Sequence, residues 1–279
     1  MCAFNLPAVV LTLGRDQWPL VSDYYLTLCR DKTDKVRQSL ASSMHEVARI
    51  VGPQQADEHL VGPFGWFLHD FDHIQGAVLE NLASLVMAFG IDAGRQVLET
   101  VAESWGSIKQ WRRREAVAKQ LAGLGGHFLV QGTPEEFLGV LVKAFKDPVA
   151  SVRDNAVYAV RSLPLFSLRG RSSLFWRPLQ IPNMFAATEQ DPLARSKLWA
   201  FLAVFSEDSG YRHRTTYTSC AYAAVRGGCS RELFESYFLD ALSRLARDPV
   251  VNVRIGVARV VAEACRSRVC PSLWNGTKG

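Results

Sequence analysis

The chain has 279 residues, 48% of them hydrophobic, enough to bury a sizeable core. Its formal charge of +5 is the balance of 32 Lys and Arg against 27 Asp and Glu, so it is neither an acidic solvating chain nor a wholly basic one. No apolar run approaches the roughly 20 residues of a membrane-spanning helix. The six cysteines contain no Cys-x-x-Cys pair and no regular spacing, and read as free thiols in a reducing, cytoplasmic or nuclear, compartment.

Read from the N-terminus, one dipeptide step recurs: Val36-Arg37, Ile74-Gln75, Arg113-Arg114, Val152-Arg153, His213-Arg214 and Val253-Arg254. The second members stand at 37, 75, 114, 153, 214 and 254, so the steps are 38, 39, 39, 61 and 40 residues. A fixed period of this size is the signature of a stacked array. The long fourth step places an insertion at about 164–192.

The first segment, residues 1–14, is expected to be part of a unit. Pro7-Ala8-Val9-Val10-Leu11 lacks the basic flank and cleavage site of a signal peptide. Gly14 matches Gly52 and Gly90, which lie at one register position and end helices. On that register Cys2, Ala3, Leu6 and Val9 take core slots, so the chain opens in mid-helix and reads as a fragment.

Six fuller units follow, at about 16–52, 55–90, 91–129, 133–163, 194–229 and 230–267, then a tail at 268–279. In each, the slots four, five, eight and eleven residues past the marker carry apolar side chains. They are Leu40, Ala41, Met44 and Val47 in the first, and Val257, Ala258, Val261 and Ala264 in the last. Only the unit at His213 is weaker, with Tyr217 and Thr218 among its four. This spacing draws one stripe on an α-helix and excludes a strand. A second helical segment precedes each marker, at roughly 16–30, 55–69, 91–106, 133–146, 194–206 and 230–247.

Asp147-Pro148 and Asp248-Pro249 sit at the junctions. Asp is expected as N-cap and Pro in the first turn, where its missing N–H is harmless. The predicted fold is therefore all-α: an α-α superhelix of about six helical hairpins in one array over 1–267. The stack is expected to be right-handed, with marker helices lining its concave face. One hairpin cannot bury both faces, whereas stacked hairpins share a core.

A hairpin of this length with Asp-Pro-x-x-x-Val-Arg at its turn resembles the HEAT repeat. Asp248 to Arg254, Trp111 to Arg114 and Tyr211 to Arg214 resemble, more loosely, the scaffold subunit of protein phosphatase 2A. Asn5-Leu6-Pro7-Ala8-Val9, Thr12-Leu13-Gly14-Arg15-Asp16 and Ser43-Met44-His45-Glu46-Val47-Ala48-Arg49-Ile50 resemble the regulatory-subunit-1 family of protein phosphatase 4. That narrower likeness covers about residues 4–90. It implies a non-catalytic scaffold that binds a Ser/Thr phosphatase catalytic subunit, of the phosphatase 4 or 2A type, together with other regulatory or substrate proteins. No membrane or cofactor is implied. Another HEAT adaptor, such as a transport receptor or chromosome-associated subunit, is the alternative.

Proteins of this kind use the ridge of turns between paired helices. Here the ridge passes through 31–34, 70–72, 107–111, 147–150, 208–212 and 248–251. Arg37, Arg153 and Arg254 are expected to pair with turn carboxylates of the same or adjacent units. Trp111, Arg112, Tyr211, Arg212 and Val251 are the candidate partner-binding residues, because large aromatics and Arg dominate interface hot spots.

Other patterns are weaker. Lys109, Arg112, Arg113, Arg114 and Lys119 surround Trp111, but no nucleic-acid motif accompanies them. His69 and His73 flank two carboxylates at a turn, with no third cluster to complete a metal site. The single His45-Glu46 step is too few for the repeated pairs of HEAT-like di-iron hydroxylases. No nucleophile elbow, Walker loop or dinucleotide turn is present. The insertion holds Arg169, Arg171, Phe175, Trp176 and Arg177, a loop over the array or a recognition segment.

Overall fold

In the computed structural model the described residues are 3–130, 134–162, 200 and 202–269, and every regular element among them is helical. They divide into two units: Met1–Leu124 with Glu135–Ala144, and Gly125–Pro134 with Phe145–Gly279. The all-α class of stacked hairpins is what they form. The insertion at 164–192, the core slot at Leu163 and most of the tail lie outside the described residues.

The first unit is built from α1 (Leu6–Leu13), a 3-10 turn (Arg15–Leu20), α2 (Ser22–Leu28), α3 (Asp34–Val51), α4 (Pro53–Leu68), α5 (Asp72–Leu79), α6 (Leu82–Ala88), α7 (Ile91–Glu103), most of α8 (Trp111–Val130) and most of α9 (Pro134–Phe145). Its marker helices keep the predicted stripe. Leu40, Ala41, Met44 and Val47 are buried, as are Val78, Leu79, Leu82 and Leu85, and Val117, Ala118, Leu121 and Leu124. Gly52 ends α3 at φ 82°, a left-handed conformation that costs glycine nothing and lets α4 start one residue later.

Two expectations fail here. Residues 3–5 form a turn rather than a continuing helix, and α1 starts at Leu6, with Pro7 in its first turn. Proline lacks the N–H for a helical rung and its ring crowds the preceding turn, which favours Pro7 in the first turn of a helix. The register shifts with it, and Val10 is 1% exposed while Val9 is 44% exposed. The marker helix at Ile74 is not continuous either. It breaks at residues 80–81 into α5 and α6, and the Gln120 side chain of α8 fills the break. Gln120 Nε2 donates to the Leu79 carbonyl at 2.8 Å, and Oε1 accepts from the Ala83 N–H at 2.8 Å. These two groups would bond each other in an unbroken helix, so one amide substitutes for one rung of the ladder.

The second unit holds α10 (Ala150–Ser162), α11 (Tyr211–Arg226), α12 and α13 (Val251–Arg266). Here α12 is one helical stretch made of Arg231–Phe234, a π turn (Glu235–Leu239) and Asp240–Leu245. Residues 202–207 are helical too. Tyr217 explains the π turn's tolerance, because its hydroxyl donates to the Tyr237 carbonyl at 3.1 Å. The weaker stripe at His213 is fully used: Tyr217, Thr218, Ala221 and Ala224 are all buried. In α13 the stripe is half used. Val257 and Ala264 are buried, but Ala258 is exposed, since no described element covers that face.

Pro148 and Pro249 lie two residues before α10 and α13, outside the first turn. The carboxylates ahead of them do not cap the helices directly. Asp147 Oδ1 accepts from the Val149 N–H at 2.9 Å and Asp248 Oδ1 from the Val250 N–H at 2.8 Å. Each closes a turn on its own backbone, which delivers the chain to the helix start.

Candidate functional site

The marker arginines are committed to the turns. Nη1 of Arg37, Arg114, Arg153, Arg214 and Arg254 donates to the carbonyl six residues earlier, at 2.6–2.8 Å. In Arg37 and Arg214 the rest of the guanidinium also clamps the next turn. Arg37 reaches Asp70 at 2.6 and 3.0 Å, and Arg214 reaches Asp248 at 2.6 and 3.1 Å. These bidentate pairs hold the Asp70 and Asp248 carboxyls below the usual carboxylate range. Asp31 and Asp208 are also lowered, chiefly by the backbone N–H groups of Thr33 and Gly210. The exception keeps the rule. Gln75 stands where Arg is expected, and the residue 33 positions on is the buried Ile108 rather than Asp. Gln75 Nε2 instead donates to the Leu68 carbonyl at 2.7 Å. The marker arginines are thus structural: Arg37 pairs with a turn carboxylate as expected, whereas Arg153 and Arg254 are held by backbone carbonyls of their own turns instead.

The five candidate partner residues share a different setting. Trp111, Tyr211 and Val251 are the first residues of α8, α11 and α13. They are 37%, 44% and 54% exposed. Arg112 and Arg212 follow them and are exposed. The Arg112 guanidinium lies over the Trp111 ring, 4.7 Å from its centre, a cation–π contact that holds the ring in place. Trp111 and Arg112 belong to the first unit, and Tyr211, Arg212 and Val251 to the second.

Within the second unit the structure joins Tyr211 and Arg212 to residues that the sequence reading left aside. They line a hollow of about 160 Å³ with Arg153 and Asp154. Asp154, Val157, Thr215, Ser219 and Asn252 are shared with a larger hollow of about 550 Å³. The two form one groove along α10, α11 and α13, continued by Tyr158, Tyr222, Arg226 and Arg259. Its floor is tight because α11 and α13 pack together. A Cβ added to Gly256 would stand 2.9 Å from Thr218 Cβ and closer still to its hydroxyl, so only glycine permits this approach. Four arginines face one carboxylate along the groove. Glu263 is divided between Arg226 at 3.9 Å and Arg266 at 3.2 Å.

A signal for this groove exists in the sequence. Thr215, Ser219, Tyr222 and Arg226 lie two, six, nine and thirteen residues past His213. That is a second helical stripe beside the core stripe, and its tyrosine has no core duty.

The other patterns separate. His69 bonds the Gly65 carbonyl at 2.8 Å and faces Ser104 Oγ at 3.3 Å, while His73 faces Asp34 at 3.3 Å. Burial of the His45 ring pushes its pKa down. Among the described residues no group of three His, Cys, Asp or Glu is placed to hold a metal. No helix among them is long and apolar enough to cross a membrane.

Residues 2–104 match the family model of the protein phosphatase 4 regulatory subunit 1 middle domain. Serine/threonine-protein phosphatase 4 regulatory subunit 1 of Homo sapiens is 35% identical over 265 residues, which is 94% of this chain and 26% of that protein. The Mus musculus protein of the same name is 35% identical over 154 residues, 54% of this chain and 16% of its own length. Among solved structures, a designed armadillo repeat protein in complex with the peptide (KR)4 aligns over 86% of this chain and 98% of its own, at TM-score 0.44 and 14% identity. The chain spans about a quarter of the length of the human relative. The resemblance carried by residues 4–90 therefore extends along nearly the whole chain.

Proposed function

We propose that this chain, whose likeness to a phosphatase 4 regulatory subunit runs through 94% of its length, is a non-catalytic regulatory scaffold. It binds a Ser/Thr protein phosphatase catalytic subunit, of the phosphatase 4 or 2A type, and alters where that enzyme acts. The chain-wide likeness is the observation that carries this reading. The turns supply the contacts: Trp111-Arg112, Tyr211-Arg212 and Val251 stand at helix starts, exposed and without core duty. An exposed aromatic backed by Arg is the composition of an interface hot spot.

Capture of purified phosphatase 4 catalytic subunit by the full chain tests the proposal. Loss of one hot-spot aromatic costs about 2 kcal/mol, roughly thirtyfold in affinity. Trp111→Ala and Tyr211→Ala together should weaken capture by at least that factor and leave the thermal melt nearly unchanged. Failure of the unaltered chain to capture either the phosphatase 4 or the phosphatase 2A catalytic subunit would sink the scaffold reading. Capture that survives the double substitution would move the contact away from these turns.

A further inference from the structure

We propose that the groove along α10, α11 and α13 binds an extended peptide bearing a phosphoserine or phosphothreonine, with the phosphate seated between Arg226 and Arg259. The proposal deepens the scaffold reading, since it assigns the second unit a hold on the phosphatase's own class of substrate.

Unspent donors are the first support. The marker arginines along the turns are occupied by carbonyls and carboxylates, as described. Arg259 and Arg212 have no carboxylate partner among the described residues, and Arg226 has only the shared Glu263 at 3.9 Å. The Ser219 hydroxyl, the Tyr222 phenol and the Asn252 amide also have no side-chain hydrogen bond among the described residues. A concave surface rich in unsatisfied donors fits a ligand rich in acceptors. Phosphate is the densest such group, with three strong acceptor oxygens and nearly two charges, and the guanidinium fork matches its geometry.

Charge placement chooses between a phosphopeptide and a uniformly acidic one. Asp154 lies in the shared middle of the groove, between the Tyr211–Arg212 end and the Arg226–Arg259 end. A run of carboxylates would bring one against Asp154, and like charges repel. One dianion at the arginine end, with a neutral or basic residue over Asp154, avoids that. The groove also has the shape for a chain rather than a small ion. Its two hollows of about 550 and 160 Å³ run together along three helices, and Tyr158, Tyr211 and Tyr222 offer flat side walls to an extended backbone.

The test uses the full chain and fluorescence anisotropy. The probe is a fluorescein-labelled peptide library of random sequence around a central phosphoserine, beside the same library with serine. The phosphoserine library should bind and the serine library should not. Arg226→Gln and Arg259→Gln should each weaken binding about tenfold or more, the order of a lost charge-assisted pair. Arg259→Lys, which keeps charge but not the fork, should fall between. Because these side chains are exposed, the thermal midpoint should not move. Inorganic phosphate should fail to displace the peptide, since it makes none of the backbone contacts. Equal binding of both libraries, indifference to the arginine substitutions, or binding of phosphate alone overturns the proposal. So does stronger retention of a single-stranded RNA that the same substitutions abolish. Capture of the catalytic subunit is read separately and needs neither arginine. Capture without phosphopeptide binding would therefore refute this inference and leave the scaffold reading standing.

Discussion

Removing the Arg214 guanidinium should destabilise the second unit far more than an exposed ion pair would. Nε and Nη2 of Arg214 meet the two oxygens of Asp248 at 2.6 and 3.1 Å, while Nη1 donates to the Asp208 and Ser209 carbonyls at 2.8 and 2.9 Å. The two side chains are only 13% and 4% exposed. An exposed pair is worth about 1 kcal/mol at most. Breaking a buried one costs about 3–5 kcal/mol, because the remaining charge is left in the interior. Here Asp248 would keep its bond from the Val250 N–H at 2.8 Å, so the low end applies. Arg214→Met, which retains the aliphatic stem, is expected to cost about 3 kcal/mol, or roughly 6–12 °C in midpoint. Asp248→Asn should cost about half as much, near 1.5 kcal/mol. The Asn oxygen can still close the turn, and the arginine left behind keeps its two carbonyls. Urea unfolding followed by circular dichroism, on the two single variants and the double, measures the coupling, expected at about 1–2 kcal/mol. If Arg214→Met costs under about 1 kcal/mol, the pair behaves as a surface pair and the ladder is decorative. If the two substitutions simply add, the bond between turns is not what stabilises them.

Three further outcomes are expected. The lowered carboxyls of Asp31, Asp70, Asp208 and Asp248 contribute stability that is present above the unfolded value of about 3.9 and is lost as pH falls through the lower folded values. The thermal midpoint should therefore hold above about pH 5 and decline below about pH 4, less steeply in the Asp70→Asn, Asp248→Asn double variant; an equal decline in both proteins refutes the assignment. Gln120→Leu strands the Leu79 carbonyl and the Ala83 N–H at the break between α5 and α6, and should cost about 1–3 kcal/mol in chemical unfolding; an unchanged stability would mean that the helix simply closes. Burial pushes the Cys29 thiol up to about 12 and raises Cys220 as well, while Cys265 is partly exposed. Iodoacetamide with peptide mapping should label Cys265 in the native protein and leave Cys29 and Cys220 unmodified until denaturant is added. Labelling of all three at similar rates contradicts the packing.

The amino-acid sequence by itself determined the repeat. Helix periodicity is local, so Leu40, Ala41, Met44 and Val47, and their counterparts to Leu124, could be read as core from spacing alone, and all are buried. The exposed helix starts at Trp111, Tyr211 and Val251 were legible for the same reason: they lie outside the stripe. Where the local reading failed, a local rule had been misplaced. Pro7 opens a helix rather than continuing one, and the junction prolines precede their helices by two residues instead of sitting in the first turn.

Only the tertiary structure decided what depends on the register of one hairpin against the next. Arg37 meets Asp70 across 33 residues and Arg214 meets Asp248 across 34, and nothing in either local sequence specifies the partner. Gln120 interrupts a helix 37 residues earlier in the chain. The groove needs α10, α11 and α13 side by side, at a distance set by the missing side chain of Gly256 over Thr218. Periodicity says which face of each helix is polar. It takes the close approach of three such faces to turn separate polar residues into one surface that can hold a ligand.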